Sequence, residues 1–362
     1  MLKKKKRVIL SIDGGGVRGL IPLRILESLE SRLAHRGVNL PIHKHFDLMC
    51  GTSTGGLIIA GLTAPKPDGA KGEAAATIKE LRDFYELEAR EIFTHSLGKR
   101  LARAFINPFN LFDESYDARP LERLLKDRFG WTSIASALTR IVLTAYDIEN
   151  RQAVFMTNGL EHDGSRPNDY YFWQAVRATT AAPSYFEPAR MDNLTSGKQE
   201  ALIDGGVFMN DPTISAYLEA RKLGYAPKDI ILVSLGTGQA QQQAYRYEDA
   251  IGWGALGWMQ PSKGVPILSI FQDGQSQTAS YQANELFSEL NGVTYFRLNG
   301  LLDPGTEAFD NARPGNIIAL NGVADRIIRD ETVVLDEIAD ILRDNVPVNG
   351  PSIVNASLEN AA

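Results

Sequence analysis

The sequence predicts an α/β fold: a three-layer α/β/α sandwich around a mostly parallel central sheet. Three observations carry this. Short apolar, β-branched runs alternate with longer segments of helical period. Several of those runs stop abruptly at glycines, as at Gly14, Gly51 and Gly236. No internal repeat or low-complexity linker breaks the alternation, which favours one layered domain over residues 1–345, with a polar tail from 346 to 362.

Taken in order, residues 7–12 (Arg-Val-Ile-Leu-Ser-Ile) read as a buried strand ending at glycines. Residues 20–33 carry apolar side chains at 21, 25, 26, 29 and 33, a helical period. Residues 46–50 form a second short strand, and residues 54–62 begin a helix. Pro65-Lys66-Pro67-Asp68-Gly69 is a loop. Helices are expected at 74–93 and 118–129, and strands at 140–147 and 152–157 across a polar turn. A helix over 171–180 stops near Pro183, and a brief strand at 201–203 runs into Asp204-Gly205-Gly206. Then come a helix at 213–223, a buried strand at 229–235, a mostly helical region with tryptophans at 244–290, a strand at 293–298 and a helical close at 317–342.

The bulk numbers narrow the function classes. The chain has 362 residues, 44% hydrophobic and 23% charged, enough for a sizeable core. A net charge of −6 argues against nucleic acid as a partner. Cys50 is the single cysteine, so no internal disulfide can form, and a reducing, cytoplasmic compartment is expected. The start, Met-Leu-Lys-Lys-Lys-Lys-Arg, is followed by only a short apolar run before glycines. A signal peptide needs an apolar stretch of about 7–15 residues, so none is expected. No window approaches the ~18 apolar residues of a spanning helix. The basic cluster from Lys3 to Arg7 is either a solvated tail or a contact for anionic headgroups at a membrane surface.

The chemistry starts at Ser53, within Gly51-Thr52-Ser53-Thr54-Gly55. A Gly-x-Ser-x-Gly between a strand and a helix fits a nucleophile elbow, with the serine on a turn too tight for neighbouring side chains. The following helix would aim N–H groups and a positive dipole end at the serine. The pentapeptide alone is equally a Gly/Ser/Thr-rich turn; the strand before it and the helix after it favour the nucleophile.

Asp13-Gly14-Gly15-Gly16-Val17-Arg18-Gly19 follows the first strand. It matches G-x-G-x-x-G, but a dinucleotide site also wants an acidic residue ending a second strand about 20 residues on. That region, around Glu27 and Glu30, still reads as helix. The alternative is an oxyanion hole built from glycine amides. Arg18 would orient that loop or add positive potential, or simply occupy the surface.

A histidine base has no convincing candidate. His35 ends a helix, His43 and His45 precede the second strand, His95 follows a helix, and His162 sits in a polar loop. Asp204 is better placed, delivered by a short apolar strand into Gly205-Gly206. A partly desolvated carboxylate makes a stronger base than a free one. Alone, Asp-Gly is equally a turn.

In this order, "SIDGGGVRGLIP" (11–22), "GTSTGG" (51–56) and "DGG" (204–206) resemble the patatin-like phospholipase family. "ATTAAPSYFEP" (178–188) and "ILVSLGTG" (231–238) are similar to its plant patatin branch, so the resemblance covers residues 7–240. It implies the patatin-like fold and a lipid acyl hydrolase that cleaves phospholipid or galactolipid esters without a metal or other cofactor. It also implies Ser53 as nucleophile, Asp204 as base, and Gly14, Gly15 and Gly16 with Arg18 as the oxyanion hole. Gly51, Gly55, Gly205 and Gly206 would support the motifs. Plant patatins usually carry Asp-Gly-Ala where Gly206 stands here.

Two apolar segments, 105–109 and 253–259, either rim an acyl channel, touch a membrane or belong to the core. Three other functions stay open on sequence: a storage or defence protein of the same fold, a nucleotide binder through Gly14–Gly19, and a phospholipase awaiting an activating messenger. The Gly236-Thr237-Gly238 turn reads as structural.

Overall fold

Arg7–Ile12 forms β1, at the heart of the sheet, because five of its six residues are buried and both of its edges are paired in parallel. This computed structural model describes residues 6–89, 116–159, 168–240, 245–260 and 265–345. The other strands are β2 (Leu48–Thr52), β3 (Arg140–Asp147), β4 (Gln152–Thr157), β5 (Ala189–Asp192), β6 (Gln199–Asp204), β7 (Ile230–Leu235) and β8 (Thr294–Leu298). They form one sheet in the order β5-β6-β3-β2-β1-β7-β8, with β4 also paired to β3. The run β3-β2-β1-β7-β8 is parallel; β4, β5 and β6 join antiparallel.

Alternation along the strands builds the two outer layers. Ile9, Leu48, Cys50 and Leu232 face helices Thr213–Lys222 and Pro266–Glu289 through Ala216, Tyr217, Ala220, Ala283 and Phe287. Val8, Leu10, Ile12, Met49 and Val233 face the opposite layer. There the helices Leu20–His35, Thr54–Thr63, Phe172–Thr179, Pro314–Asp330 and Thr332–Asp344 close the core. The expected three-layer arrangement is the one found.

Several boundaries differ from the sequence reading. The helix expected from 74 starts at Ile78, because Thr77 and Glu80 form a capping box. It passes into a wider π turn over Phe84–Glu88. The helical close is two helices that part at Glu331, before the poor helix formers Thr332, Val333 and Val334. β5 was not expected: Ala-Arg-Met-Asp is short and half polar, and it exists by pairing with β6 at the sheet edge. Among the described residues, 244–290 hold three helices, Tyr247–Ala250, Ala255–Trp258 and Pro266–Glu289. Residues 105–109, His95, His162, Lys3 and the tail after 345 lie outside the described residues. Among the described residues, no helix is long and apolar enough to cross a membrane.

Candidate active site

β2 ends at Thr52 and helix Thr54–Thr63 begins at Thr54, so Ser53 alone carries the change of direction. It sits at φ 54°, ψ −122°, a backbone that a non-glycine residue adopts only when its surroundings enforce it. The flanking glycines show the enforcement. A Cβ on Gly51 would lie 2.5 Å from the Gly55 carbonyl carbon, and one on Gly55 would lie 2.3 Å from the Ile12 carbonyl oxygen. Both obstacles are backbone, which cannot swing aside. The Ser53 N–H donates to Thr179 Oγ1 at 2.9 Å, fixing the turn from the neighbouring helix.

Asp204 reaches the same point through the sheet. β4 covers one edge of β3 from Val142 to Asp147. The other edge is covered by β2 as far as Thr144, and then by β6 from Ala145. Thr52 stands opposite Thr144, and Asp204 opposite Ala145. The residue after β2 and the last residue of β6 therefore meet where one strand replaces the other. Ser53 Oγ donates to Asp204 Oδ2 at 2.6 Å, and the Gly206 N–H donates to Oδ1 at 2.7 Å. Asp204 is only 1% exposed. Burial pushes its carboxyl up to about 7, although the Ser53 and Gly206 hydrogen bonds pull the other way.

The glycine loop lies directly against the serine: a Cβ on Gly14 would sit 3.3 Å from Ser53 Cβ. The expectation of three free amides needs correction. The Gly14 N–H donates to Asn210 O at 2.9 Å and is spent. Its carbonyl accepts from Thr237 Oγ1 at 2.6 Å. Among the described residues the amides of Gly15 and Gly16 meet no acceptor, and both residues line the pocket beside Ser53. Gly16 takes φ 57°, and a Cβ there would strike the Phe309 carbonyl oxygen at 2.2 Å.

Arg18 is buried and does not line the pocket. Its Nε donates to Gly15 O at 3.3 Å, and its guanidinium lies 4.1 Å from the centre of the Phe309 ring. Burial lowers its pKa to about 10, with Asp273, Asp13 and Glu307 opposing. It therefore braces the loop from behind.

The pocket at Ser53 has an empty volume of about 780 Å³, its open mouth included. Its walls are mostly apolar, with Leu57, Phe84, Leu121, Tyr185, Phe186 and Leu268 among them. No histidine lines it among the described residues. His43 and His45 are buried in the turn Ile42–His45 that precedes the second strand, where burial lowers the His43 pKa to about 4. Cys50 is fully buried in β2, and burial pushes its thiol well above the usual range. Among the described residues, no three acidic, histidine or cysteine side chains are grouped to hold a metal ion.

Four contributors escaped sequence reasoning as site residues. Thr179 and Thr237 lay inside stretches already singled out, but nothing local gave them roles. Asn210 and Gln272 carry no motif at all. Gln272 lines the pocket from helix Pro266–Glu289, and its Oε1 is buried with no hydrogen-bond partner among the described residues.

Comparison with known proteins gives the family. The family model for patatin-like phospholipase matches residues 10–217. The chain is 31% identical over 346 residues to "Patatin-like protein 2" of Arabidopsis thaliana, covering 89% of this chain and 82% of that protein. It is 30% identical to "Patatin group A-3" of Solanum tuberosum, covering 89% and 83%. It is also 30% identical to "Probable inactive patatin-3-Kuras 1" of the same plant, covering 89% and 86%. With the match spanning the elbow, the glycine loop and Asp204, the chain belongs to the patatin-like phospholipase family.

Proposed function

We propose that this protein is a lipid acyl hydrolase that cleaves fatty-acyl esters of phospholipids or galactolipids through a Ser53–Asp204 dyad. The observation that carries this reading is the 2.6 Å contact from Ser53 Oγ to a buried carboxylate at an apolar pocket. Asp204, with its pKa raised to about 7, is matched to take a proton near neutral pH. It accepts the Ser53 proton as Oγ attacks the ester carbonyl carbon. The resulting oxyanion lies against the Gly15 and Gly16 amides, each such donor being worth ~3 kcal/mol in the transition state. Asp204 then returns the proton to the leaving lysolipid oxygen. Water, deprotonated by Asp204, attacks the acyl carbon; the Ser53 Oγ–acyl bond breaks, the fatty acid leaves, and Asp204 returns the proton to Ser53 Oγ. The apolar walls hold the acyl chain, and no metal takes part in these steps.

A lipid surface is the natural source of substrate. Trp253 and Trp258 stack edge-to-face on each other and are half-buried, so they are not the outermost groups. Ile251 and Leu256 beside them are 69% and 66% exposed, and Phe271 is 54% exposed. Phe271 lies on the helix whose Leu268 and Gln272 line the pocket. This supports peripheral contact at the pocket side.

The relative named as probably inactive keeps the non-enzymatic storage reading in play. The intact Ser53–Asp204 pair favours an enzyme, and a p-nitrophenyl ester assay decides. Wild type turns over and Ser53→Ala does not, at equal folding by circular dichroism. Equal rates for the two would refute the dyad.

A further inference from the structure

The two loops that build the site are joined underneath by one buried arginine. Asp13 opens the glycine loop, and Asp211 closes the segment that begins at Asp204. Arg297, on β8, reaches both. Its Nη1 and Nη2 donate to Asp13 Oδ1 and Oδ2 at 2.9 and 2.6 Å, a bidentate fork. Nη1 also donates to Ser234 Oγ at 2.7 Å and lies 3.5 Å from Asp211 Oδ2.

Register explains the meeting. Ser11, Ser234 and Arg297 stand side by side across β1, β7 and β8, on one face of the sheet. Thr213 Oγ1 contacts both serine hydroxyls, at 3.3 Å for Ser11 and 2.7 Å for Ser234. Asp211 Oδ1 accepts from the Thr213 N–H at 2.9 Å and from the Thr213 hydroxyl. The result is a polar seam within an otherwise apolar layer.

We propose that Arg297 is a positioning residue for catalysis, clamping the oxyanion loop to the base loop so that Gly15, Gly16, Ser53 and Asp204 keep one geometry. The proposal rests on the dyad reading. Arg297 lies beyond the matched residues 10–217 and 284 positions from Asp13, so the motif region is completed from outside itself. Asp13 and Asp211 are 2% and 3% exposed and hold two carboxylates against one guanidinium. Burial pushes the Asp13 carboxyl up to about 7 even with Arg297 opposing it. Burial alone would lower the Arg297 pKa, but Asp13 and Asp211 outweigh it and the net direction is upward. The loop reads this clamp directly: the Asp13 N–H is tied to Leu235 O at 3.0 Å, and Gly14 is tied to Asn210, the neighbour of Asp211.

Lysine keeps the charge but has no planar fork, so Arg297→Lys tests geometry rather than charge. Misplacing an oxyanion donor by an ångström or losing it reduces turnover by roughly 10²-fold or more. The experiment compares wild type, Arg297→Lys, Asp13→Asn as a second variant that leaves Asp211 for the guanidinium, and Arg329→Lys, 68% exposed, as a surface control. Two readouts are taken: kcat and KM on a soluble p-nitrophenyl ester, and amide hydrogen exchange of peptides covering residues 13–18 and 204–211. Expected for Arg297→Lys are faster exchange in both peptides, a roughly 100-fold lower kcat and a KM within about threefold. Asp13→Asn is expected to follow the same direction, and serves alone should Arg297→Lys not fold. Unchanged exchange, or, with an active wild type, faster exchange and unchanged kcat, overturns the clamp. If wild type has no esterase activity yet the exchange change appears, the clamp between loops stands and the dyad reading falls.

Discussion

Ser53 and Asp204 touch at 2.6 Å across 151 residues of chain because their strands share one edge of β3. β2 leaves that edge at Thr144 and β6 takes it up at Ala145. The dyad is therefore a consequence of sheet register, with no long side chain needed to bridge a gap.

Register and burial together set the pH response. Burial raises the Asp204 pKa to about 7, and the base must be ionised to work. Activity on a soluble ester is expected to climb from pH 5 to 8, with its midpoint near 7. A profile already flat from pH 5 would contradict the assignment of Asp204 as base.

The same shift bears on stability. A carboxyl whose folded pKa lies above its unfolded value, about 3.9, contributes stability that is full at low pH and is lost as pH rises through about 7. Asp204→Asn removes that loss. Relative to wild type, the variant gains stability between pH 4 and 7 and holds the gain above, on the order of 4 kcal/mol at most. Asp13 titrates in both proteins and cancels in the difference. Urea unfolding at pH 4.5 and pH 8 measures it: an inactive variant whose stability gain is small at the lower pH and several times larger at the higher one is the expected result.

The elbow tolerates no side chain at Gly55. Its Cβ would press on the Ile12 and Asp13 carbonyls of the strand and loop beside it. Gly55→Ala is expected to lower stability by about 3 kcal/mol and to abolish ester turnover, whereas Gly252→Ala, where no described residue other than its chain neighbours lies within 4 Å, leaves both unchanged. Thermal melts with parallel assays check the pair.

Interface and chemistry separate at the exposed apolar residues. Ile251→Ser with Leu256→Ser is expected to cut fatty-acid release from vesicles severalfold while sparing p-nitrophenyl esters, since neither side chain lines the pocket. Equal loss on both substrates would place these residues in the fold's support instead of at a lipid surface.

Much of this site is legible in the sequence, for physical reasons. Gly51, Gly55 and Gly205 announce close backbone approaches, since at each a Cβ would fall 2.5 Å or less from a neighbouring atom. Short apolar strands ending in glycine give the sheet, and Arg7–Ile12, Arg140–Asp147 and Gln152–Thr157 are read to the residue. What the sequence hides is long-range partnership. Nothing near Gly14 says that its N–H belongs to Asn210, so three oxyanion donors are expected where, among the described residues, two are without an acceptor. Arg297 looks like one charged residue in a strand until β8 pairs with β7 and sets it beneath Asp13.

The central claim is that Ser53 becomes acylated. A fluorophosphonate with a long alkyl chain, followed by peptide mass spectrometry, tests it most directly. One adduct is expected on the peptide containing Ser53, absent in Ser53→Ala and much reduced in Asp204→Asn. Lipid hydrolysis by wild type with no adduct at Ser53, or with labelling at another residue, would contradict it.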